Sequence, residues 1–181
     1  MFDSTGNVIA STTTEFDKTS DKKTSNYINL YDVEKINEGP FKVFKIESPE
    51  IKHLKFSNNG AYLLATTSEF ILIIDSFTGE LLGRLFGDIS EGDVAFKADF
   101  SPDSKYVASG SESGKILIWN VEKKNLSLNP EKKNNVLVAL DAHPLTANCV
   151  KFSPKHILLA TACTNLLLWT IPEQNSMNID T

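Results

Sequence analysis

The sequence predicts an all-β fold made of a repeated group of short strands. A Phe followed by a polar turn begins each group, and an apolar run with a small-residue end comes next. A second apolar run then closes on a polar residue. The four Phe residues are Phe2, Phe56, Phe100 and Phe152, and the four closing runs span 28–32, 71–75, 116–120 and 166–170. Because no segment shows a sustained helical period, strands account for the pattern.

The spacing of these groups indicates a β-propeller. The interval from Phe56 to Phe100 matches one four-stranded blade of about 40–45 residues. The other two intervals are longer, and each contains a polar insertion, at 11–26 and at 122–135. Neither insertion can bury enough apolar surface to offset the entropy lost on ordering it, so we expect mobile loops there.

Within a blade, the strands follow from the alternation of apolar residues and from turn chemistry. The second group gives strands at 51–56, 62–66, 70–75 and 81–86, and the third gives 94–100, 106–110, 115–120 and 136–140. A tight turn is expected after Phe100, because Pro102 presets one dihedral angle and Asp103 or Ser104 bonds back to the backbone. The apolar runs 71–74 and 166–169 are typical of strands buried on both faces.

The predicted domain is a partial propeller over residues 1–172. The predicted blades are 1–46, 47–87, 88–140 and 141–172, followed by a disordered tail at 173–181. The first blade has no inner strand before Phe2, and the tail is too polar to supply an outer strand, so we expect three, four, four and three strands. A seven-bladed ring needs about 28 strands. We therefore expect an open arc that is marginally stable alone, self-associates, and is completed by the N-terminal half of a longer chain.

Composition agrees with a globular domain and argues against several classes of function. Hydrophobic residues make up 41% of the chain and charged residues 23%, with a net charge of −5 and a single arginine, Arg84. This acidic balance does not favour direct nucleic-acid binding. The sequence shows no signal peptide and no apolar run long enough for a membrane helix. Cys149 and Cys163 are expected on neighbouring strands as buried free thiols.

The apparent catalytic and metal-binding motifs do not meet the requirements of their chemistry. Residues 110–115 resemble a phosphate loop, but they have three residues between the glycines where four are needed, and they join two strands. The set His143, Cys149, His156 and Cys163 matches no compact zinc spacing. His53 is interpreted as structural, and no nucleophile motif surrounds a serine. The sequence therefore predicts a non-enzyme with no catalytic residues, no cofactor and no metal.

The repeats resemble those of WD-repeat propellers. In that family the third strand ends in Trp-Asp, and a loop His, a Ser or Thr and a turn Asp form a hydrogen-bonded brace. The corresponding structural residues are Asp32, Asp75, Trp119, Trp169 and His143. Neither Asp follows a Trp, neither Trp precedes an Asp, and Ser113 and Asn165 stand where the family has the turn Asp. The resemblance implies a degenerate brace and blades that depend on packing.

A narrower resemblance is to the WD-repeat scaffold subunit of COMPASS-type histone H3 lysine-4 methyltransferase complexes. It is carried by residues 39–41, 54–57 and 74–79, by 100–104 with 110–116, and most clearly by the last group. There Ala160-Thr161-Ala162-Cys163-Thr164-Asn165 precedes Trp169, and the family's last blade similarly has Ala-x-Ala-Cys-x-Asn before its Trp. The match runs from about residue 2 to 172 apart from the insertions, and covers the C-terminal half or slightly more of that seven-bladed protein.

This resemblance implies a non-catalytic scaffold in the nucleus. Its partners would be the methyltransferase catalytic subunit and other complex members, with links to transcription termination, RNA 3′-end processing and phosphatase targeting. Binding of the phosphorylated tail of RNA polymerase II is also attributed to the family. The loops expected on one face are acidic, and the sole candidate basic cluster is Lys18, Lys22 and Lys23. We therefore expect phosphorylated-tail binding to require the full-length protein.

The alternative function is that of a WD-repeat adaptor in another assembly, for ubiquitin ligase substrate selection or ribosome biogenesis. Residues 162–165 favour the methyltransferase scaffold over this alternative. A metabolic or hydrolytic enzyme would instead need a deep pocket lined by titrating groups.

Overall fold

The computed structural model describes residues 1–16, 24–87, 97–126, 128 and 136–170. These residues form four antiparallel sheets and two short 3₁₀ helices, Ile36–Glu38 and Lys123–Asn125. Each sheet is a meander, because its strands pair in the order in which they follow one another along the chain. The predicted all-β organisation in four blade-like groups is confirmed. Within the described residues, no helix has the length and apolarity that crossing a membrane requires.

The described strands number three, four, four and three, as the sequence predicts. The first sheet contains β1 (Val8–Phe16), β2 (Thr24–Asp32) and β3 (Lys42–Ile46). The second contains β4 (His53–Phe56), β5 (Tyr62–Thr66), β6 (Ile71–Asp75) and β7 (Leu81–Leu85). The third contains β8 (Asp99–Phe100), β9 (Tyr106–Gly110), β10 (Lys115–Asn120) and β11 (Val136–Asp141). The fourth contains β12 (Cys149–Phe152), β13 (Leu158–Ala162) and β14 (Leu166–Thr170).

The first insertion is not a loop where the structure describes it. β1 and β2 pair continuously from Val8 with Asp32 to Phe16 with Thr24, so the loop prediction is wrong for 11–16 and 24–26. Consecutive β-branched threonines favour extended backbone although the segment has few apolar residues. Asn26 is fully buried, and its side-chain amide donates to the backbone oxygens of Ser48 at 2.7 Å and Pro49 at 3.1 Å. Residues 17–23 lie outside the described part of the chain.

The residues before β1 also differ from expectation. Phe2 forms an antiparallel bridge with Ile9, the Asp3 amide donates to the Val8 carbonyl at 2.9 Å, and the Ala10 amide donates to the Met1 carbonyl at 2.8 Å. Residues 1–3 therefore occupy the inner edge of the first sheet, where the sequence predicts no strand. In the third sheet, the inner strand is only two residues long, and residues 94–96 lie outside the described part. Residues 127 and 129–135 and the predicted tail at 173–181 also lie outside the described part of the chain.

The core lies between neighbouring sheets, and β6 shows how one strand serves two interfaces. Leu72 and Ile74 belong to the apolar cluster between the first and second sheets, whereas Ile71 and Ile73 belong to the cluster between the second and third. Side chains alternate across a strand with a period of two, so the uninterrupted apolar run of β6 fills both interfaces. Burial of each such side chain stabilises the fold by about 1.5–3 kcal/mol. The prediction of a strand buried on both faces is wrong for the run 166–169, because Leu166 and Leu168 on β14 are exposed.

The turns after the inner strands share one hydrogen-bond pattern. The Ser57 hydroxyl donates to the Asn59 side-chain oxygen at 2.7 Å and accepts the Tyr62 amide at 2.9 Å. In the third sheet, the Ser101 hydroxyl donates to Asp103 at 2.6 Å and accepts the Tyr106 amide at 3.0 Å. These bonds satisfy the turn locally and fix the angle at which each inner strand meets the next strand.

Candidate interaction surfaces

A hydrogen-bonded brace connects the loop before the fourth sheet with β13 and β14. His143 is buried, and its Nε2 lies 2.9 Å from the Thr161 hydroxyl while its Nδ1 lies 3.1 Å from the Asn165 side-chain oxygen. The Trp169 indole N–H donates to the same Thr161 hydroxyl at 2.9 Å. The expectation of a degenerate brace is therefore wrong for this sheet. Thr161 was not recognised from the sequence as a brace residue, although its place in the Ala160–Asn165 motif could have identified it.

The donors and acceptors of this brace fix the tautomer of His143. An indole N–H only donates and an Asn side-chain oxygen only accepts, so the Thr161 oxygen accepts from Trp169 and the His143 ring donates to Asn165, which leaves Nε2 to accept the Thr161 proton. The His143 Nδ1 then carries the ring proton and donates it to the Asn165 oxygen. Each polar atom in the bonded series from Trp169 through Thr161 and His143 to Asn165 thus has a partner, and an Asn oxygen is sufficient where the family has Asp.

In the third sheet, apolar packing around Trp119 takes the place of the hydrogen-bonded brace seen in the fourth sheet. Trp119 is 1% exposed and lies in the cluster between the second and third sheets, against Phe100 and Val107. Among the described residues, its indole N–H has no hydrogen-bond partner. The Ser109 hydroxyl donates to the neighbouring Gly110 carbonyl at 3.1 Å and does not accept a bond from Trp119, unlike Thr161, which accepts one from Trp169.

Asp32 and Asp75 close the turns that follow the third strand of their sheets. The Asp75 carboxylate accepts the amides of Phe77 and Thr78, each at 2.9 Å, and the Asp32 carboxylate accepts the Glu34 amide at 2.9 Å. The bond from the Thr78 amide is the largest cause that holds the pKa of Asp75 below its usual value. The Asn120 side-chain oxygen likewise accepts the Glu122 amide at 2.9 Å. A short side chain with an acceptor oxygen explains the polar end of the closing runs.

The two cysteines are free and less buried than the sequence suggests. Cys149 on β12 is exposed, and Cys163, directly after β13, is partly exposed. The prediction of buried thiols is therefore wrong. A hydrogen bond with the Thr164 hydroxyl and one with the Asn165 amide lower the pKa of Cys163 to about 7.

The other titratable candidates lie in structural settings. Residues 110–115 join β9 to β10, and a Cβ at Gly110 would overlap the Ala147 carbonyl, so this loop packs on the next one. His53 is partly buried on β4. Among the described residues, no three His, Cys, Asp or Glu side chains converge as a metal site requires.

An apolar groove of about 500 Å³ opens between the third and fourth sheets. Its apolar lining includes Ile118, Leu137, Leu140, Ile157, Leu159 and Trp169. Leu137 and Ile157 are exposed at its rim, and β11, which carries Leu137, is the outermost strand of its sheet. A contiguous exposed apolar surface of this kind is typical of protein contact sites.

A second cavity, of about 260 Å³, lies where the inner ends of the sheets meet. Its walls include Met1, Lys55, Asp99 and Lys151, which come from the inner edges of the four sheets in turn. Lys55 and Lys151 both pair with Asp99. These lysines lie far apart in the sequence and were not recognised as a cluster from it.

Comparison with known proteins agrees with the repeated sheets. Residues 79–120 match the family described as WD domain, G-beta repeat. The chain is 36% identical over 149 residues to WD repeat-containing protein 82 of Drosophila melanogaster, covering 80% of the chain and 44% of that protein. It is 34% identical over 145 residues to COMPASS component SWD2 of Saccharomyces cerevisiae, covering 75% and 43%.

A plant protein from Arabidopsis thaliana, Protein ANTHESIS POMOTING FACTOR 1, is 33% identical over 145 residues, covering 78% of the chain and 41% of its own length. The chain thus spans less than half the length of each of these relatives. The matched repeat, the four meander sheets and the relatives together show that this chain belongs to the WD-repeat family, with each sheet forming one blade.

Proposed function

We propose that the chain is a non-catalytic scaffold in a COMPASS-type histone H3 lysine-4 methyltransferase complex of the nucleus. The observation that carries this proposal is the 34% identity, over 75% of the chain, to a yeast protein named as a COMPASS component. The motif Ala160–Asn165 supports it, because the last blade of the COMPASS-type scaffold similarly has Ala-x-Ala-Cys-x-Asn before its Trp.

The roles of the polar side chains support a scaffold over an enzyme. The buried His143 has both ring nitrogens engaged, one with Thr161 and one with Asn165, and Asp75 closes a turn. Neither group is left available to act on a substrate. Rigid blades with short turns can instead present several independent contact surfaces to protein partners.

The groove between the third and fourth blades is the surface best suited to such a contact. Its lining is predominantly apolar, so an apolar side chain of the methyltransferase catalytic subunit is the partner group that its chemistry fits. Contact with the phosphorylated tail of RNA polymerase II, and links to transcription termination or RNA 3′-end processing, belong in this proposal to the longer protein.

Purification of the tagged native protein, with identification of co-purifying proteins, tests the function. A histone H3 lysine-4 methyltransferase catalytic subunit is expected among them, together with lysine-4 methylation activity in the eluate. Ubiquitin ligase subunits or ribosome assembly factors in its place would support the alternative adaptor function and contradict this one.

A paired substitution tests the groove. Ile157→Glu places a charge on the exposed rim and is expected to reduce recovery of the catalytic subunit severalfold, because a charge would be buried in the contact. Leu145→Glu is the matched control, since Leu145 is similarly exposed but does not line the groove. Equal recovery with both variants would show that the groove is not the contact surface.

A further inference from the structure

The cavity at the centre of the blades holds charged residues at equivalent positions of three inner strands. Lys55, Asp99 and Lys151 each precede the Phe that ends its strand. Residues 1–4 complete the wall from the first blade. Its volume, about 260 Å³, is below the roughly 300–1,000 Å³ of pockets for drug-sized ligands. A cavity of this size suits one or two side chains of a partner better than a larger molecule.

Asp99 shows how this cavity holds a carboxylate. Only 2% of its side chain is exposed, and one of its oxygens pairs with the ammonium of Lys55. The other oxygen accepts the Phe152 amide at 2.8 Å and lies 3.4 Å from the Lys151 ammonium. Lys55 is 12% exposed and Lys151 63% exposed, so Lys151 still presents most of its side chain to the opening.

Two more basic residues lie nearby in sequence, His53 on β4 and Lys97 just before β8. His53 and Lys97 are two residues before Lys55 and Asp99, and side chains two apart in extended chain share a face. Burial lowers the pKa of His53, and the charges of Lys97, Lys55, Lys151 and the amino terminus act in the same direction. Each of these charged groups is therefore close enough to act on His53.

Positive charge exceeds negative charge in this cluster. Among the described residues, Asp99 is the carboxylate paired with the cluster and Asp3 is a second carboxylate in the cavity wall, against Lys55, Lys97, Lys151 and the amino terminus, and Lys97 has no ion-pair partner. Burial, followed by the proximity of Lys151, lowers the pKa of Lys55 to about 7. Because the chain as a whole carries a net charge of −5, this cluster is a local reversal of the protein's field.

We propose that the central cavity binds the side-chain carboxylates of an acidic segment of a protein partner. The clustered lysines supply the positive charge. The surroundings of Asp99, which are two ammonium groups and one backbone amide, show how this cavity binds a carboxylate. Charge-assisted hydrogen bonds of this kind are strong where water is partly excluded. Lysines act as point charges without the planar fork of arginine, which fits single carboxylates. The inference deepens the proposed scaffold function by naming the chemistry of one partner segment.

Direct titration tests the site. Fluorescein-labelled hexaglutamate is titrated with the full chain and followed by fluorescence polarisation at low and at physiological salt. We expect saturable binding that weakens with salt, and about fivefold weaker binding for Lys97→Gln and for Lys151→Gln. Lys45→Gln is the matched control, because Lys45 is exposed on the outer strand β3. Circular dichroism and cooperative unfolding check that each variant is folded.

The outcomes separate the possibilities. Absence of hexaglutamate binding, or equal binding by all three variants, overturns the proposal. A phosphoserine-containing peptide of the same length forms a second arm, and binding of that peptide alone overturns the assignment to carboxylates. The proposed function is judged separately by co-purification. If the chain binds hexaglutamate but no methyltransferase co-purifies, the carboxylate site stands and the proposed scaffold function is refuted. If the methyltransferase co-purifies but hexaglutamate does not bind, only the carboxylate site is refuted.

Discussion

His143 and Trp169 are joined through a single oxygen, the hydroxyl of Thr161, which lies 2.9 Å from the imidazole Nε2 and 2.9 Å from the indole Nε1. The contact connects the loop before the fourth blade to that blade's third strand. Directional bonds through one small side chain fix this loop more firmly than apolar packing alone, because each partner loses its bond if either moves.

The first prediction concerns this shared hydroxyl. Thr161→Val keeps the shape of the side chain but leaves the Trp169 N–H and the His143 ring nitrogen without their partner. We expect the free energy of unfolding to fall by about 2–3 kcal/mol, measured by urea denaturation.

Thr146→Val is the control for the Thr161 substitution. The Thr146 hydroxyl makes a weaker, exposed bond of 3.3 Å to the Glu112 carbonyl, so a change within about 0.5 kcal/mol is expected. Equal losses for the two variants would mean that the brace does not stabilise the blade.

The second prediction separates packing from hydrogen bonding at Trp119. Trp119→Ala removes a fully buried side chain between two blades and should cost roughly 3–5 kcal/mol. Trp119→Phe should cost clearly less, because the indole N–H that it removes has no partner among the described residues. Chemical denaturation of both variants provides the measurement. A phenylalanine variant as unstable as the alanine variant would show that the Trp119 indole N–H makes a stabilising hydrogen bond.

The third prediction concerns acid sensitivity at Asp75. Its pKa is lowered in the folded state, so the charged carboxylate stabilises the fold above the unfolded pKa of about 3.9 and loses this effect as pH falls through the lower folded pKa. Asp75→Asn keeps an acceptor oxygen but does not titrate. The stability difference between wild type and this variant should therefore shrink as the pH is lowered from 6 toward 3. A difference that is constant with pH would contradict the assigned bonds.

Local patterns in the sequence were sufficient to predict most strands. The bounds of β5, β6, β9, β10 and β14 follow from short apolar runs between polar turns, since both signals are read within a few residues. The segment 11–16 was misassigned because its threonines are polar, although their branched side chains fit a strand well. The composition of 11–16 shows that the segment is polar, but it does not show that threonine favours extended backbone.

The site residues could be predicted less well, because their partners are distant in sequence. Lys55, Asp99 and Lys151 meet only when three inner strands converge, and no spacing within one strand shows this. Thr161 was overlooked for a different reason. Its role depends on the direction of two hydrogen bonds from separate segments, so a motif that emphasises Trp, Asp and His does not identify it.

The last prediction concerns the reactivity of Cys163. With a pKa of about 7, roughly half of this thiol is ionised at neutral pH, whereas an ordinary cysteine of pKa about 8.5 is only a few per cent thiolate there. In a Cys149→Ser background, the rate of iodoacetamide alkylation should rise with a midpoint near pH 7. Thr164→Val removes the largest cause of the lowered pKa and should move that midpoint upward, slowing the reaction at pH 7. If both proteins show a midpoint near 8.5, the hydroxyl of Thr164 does not stabilise the thiolate.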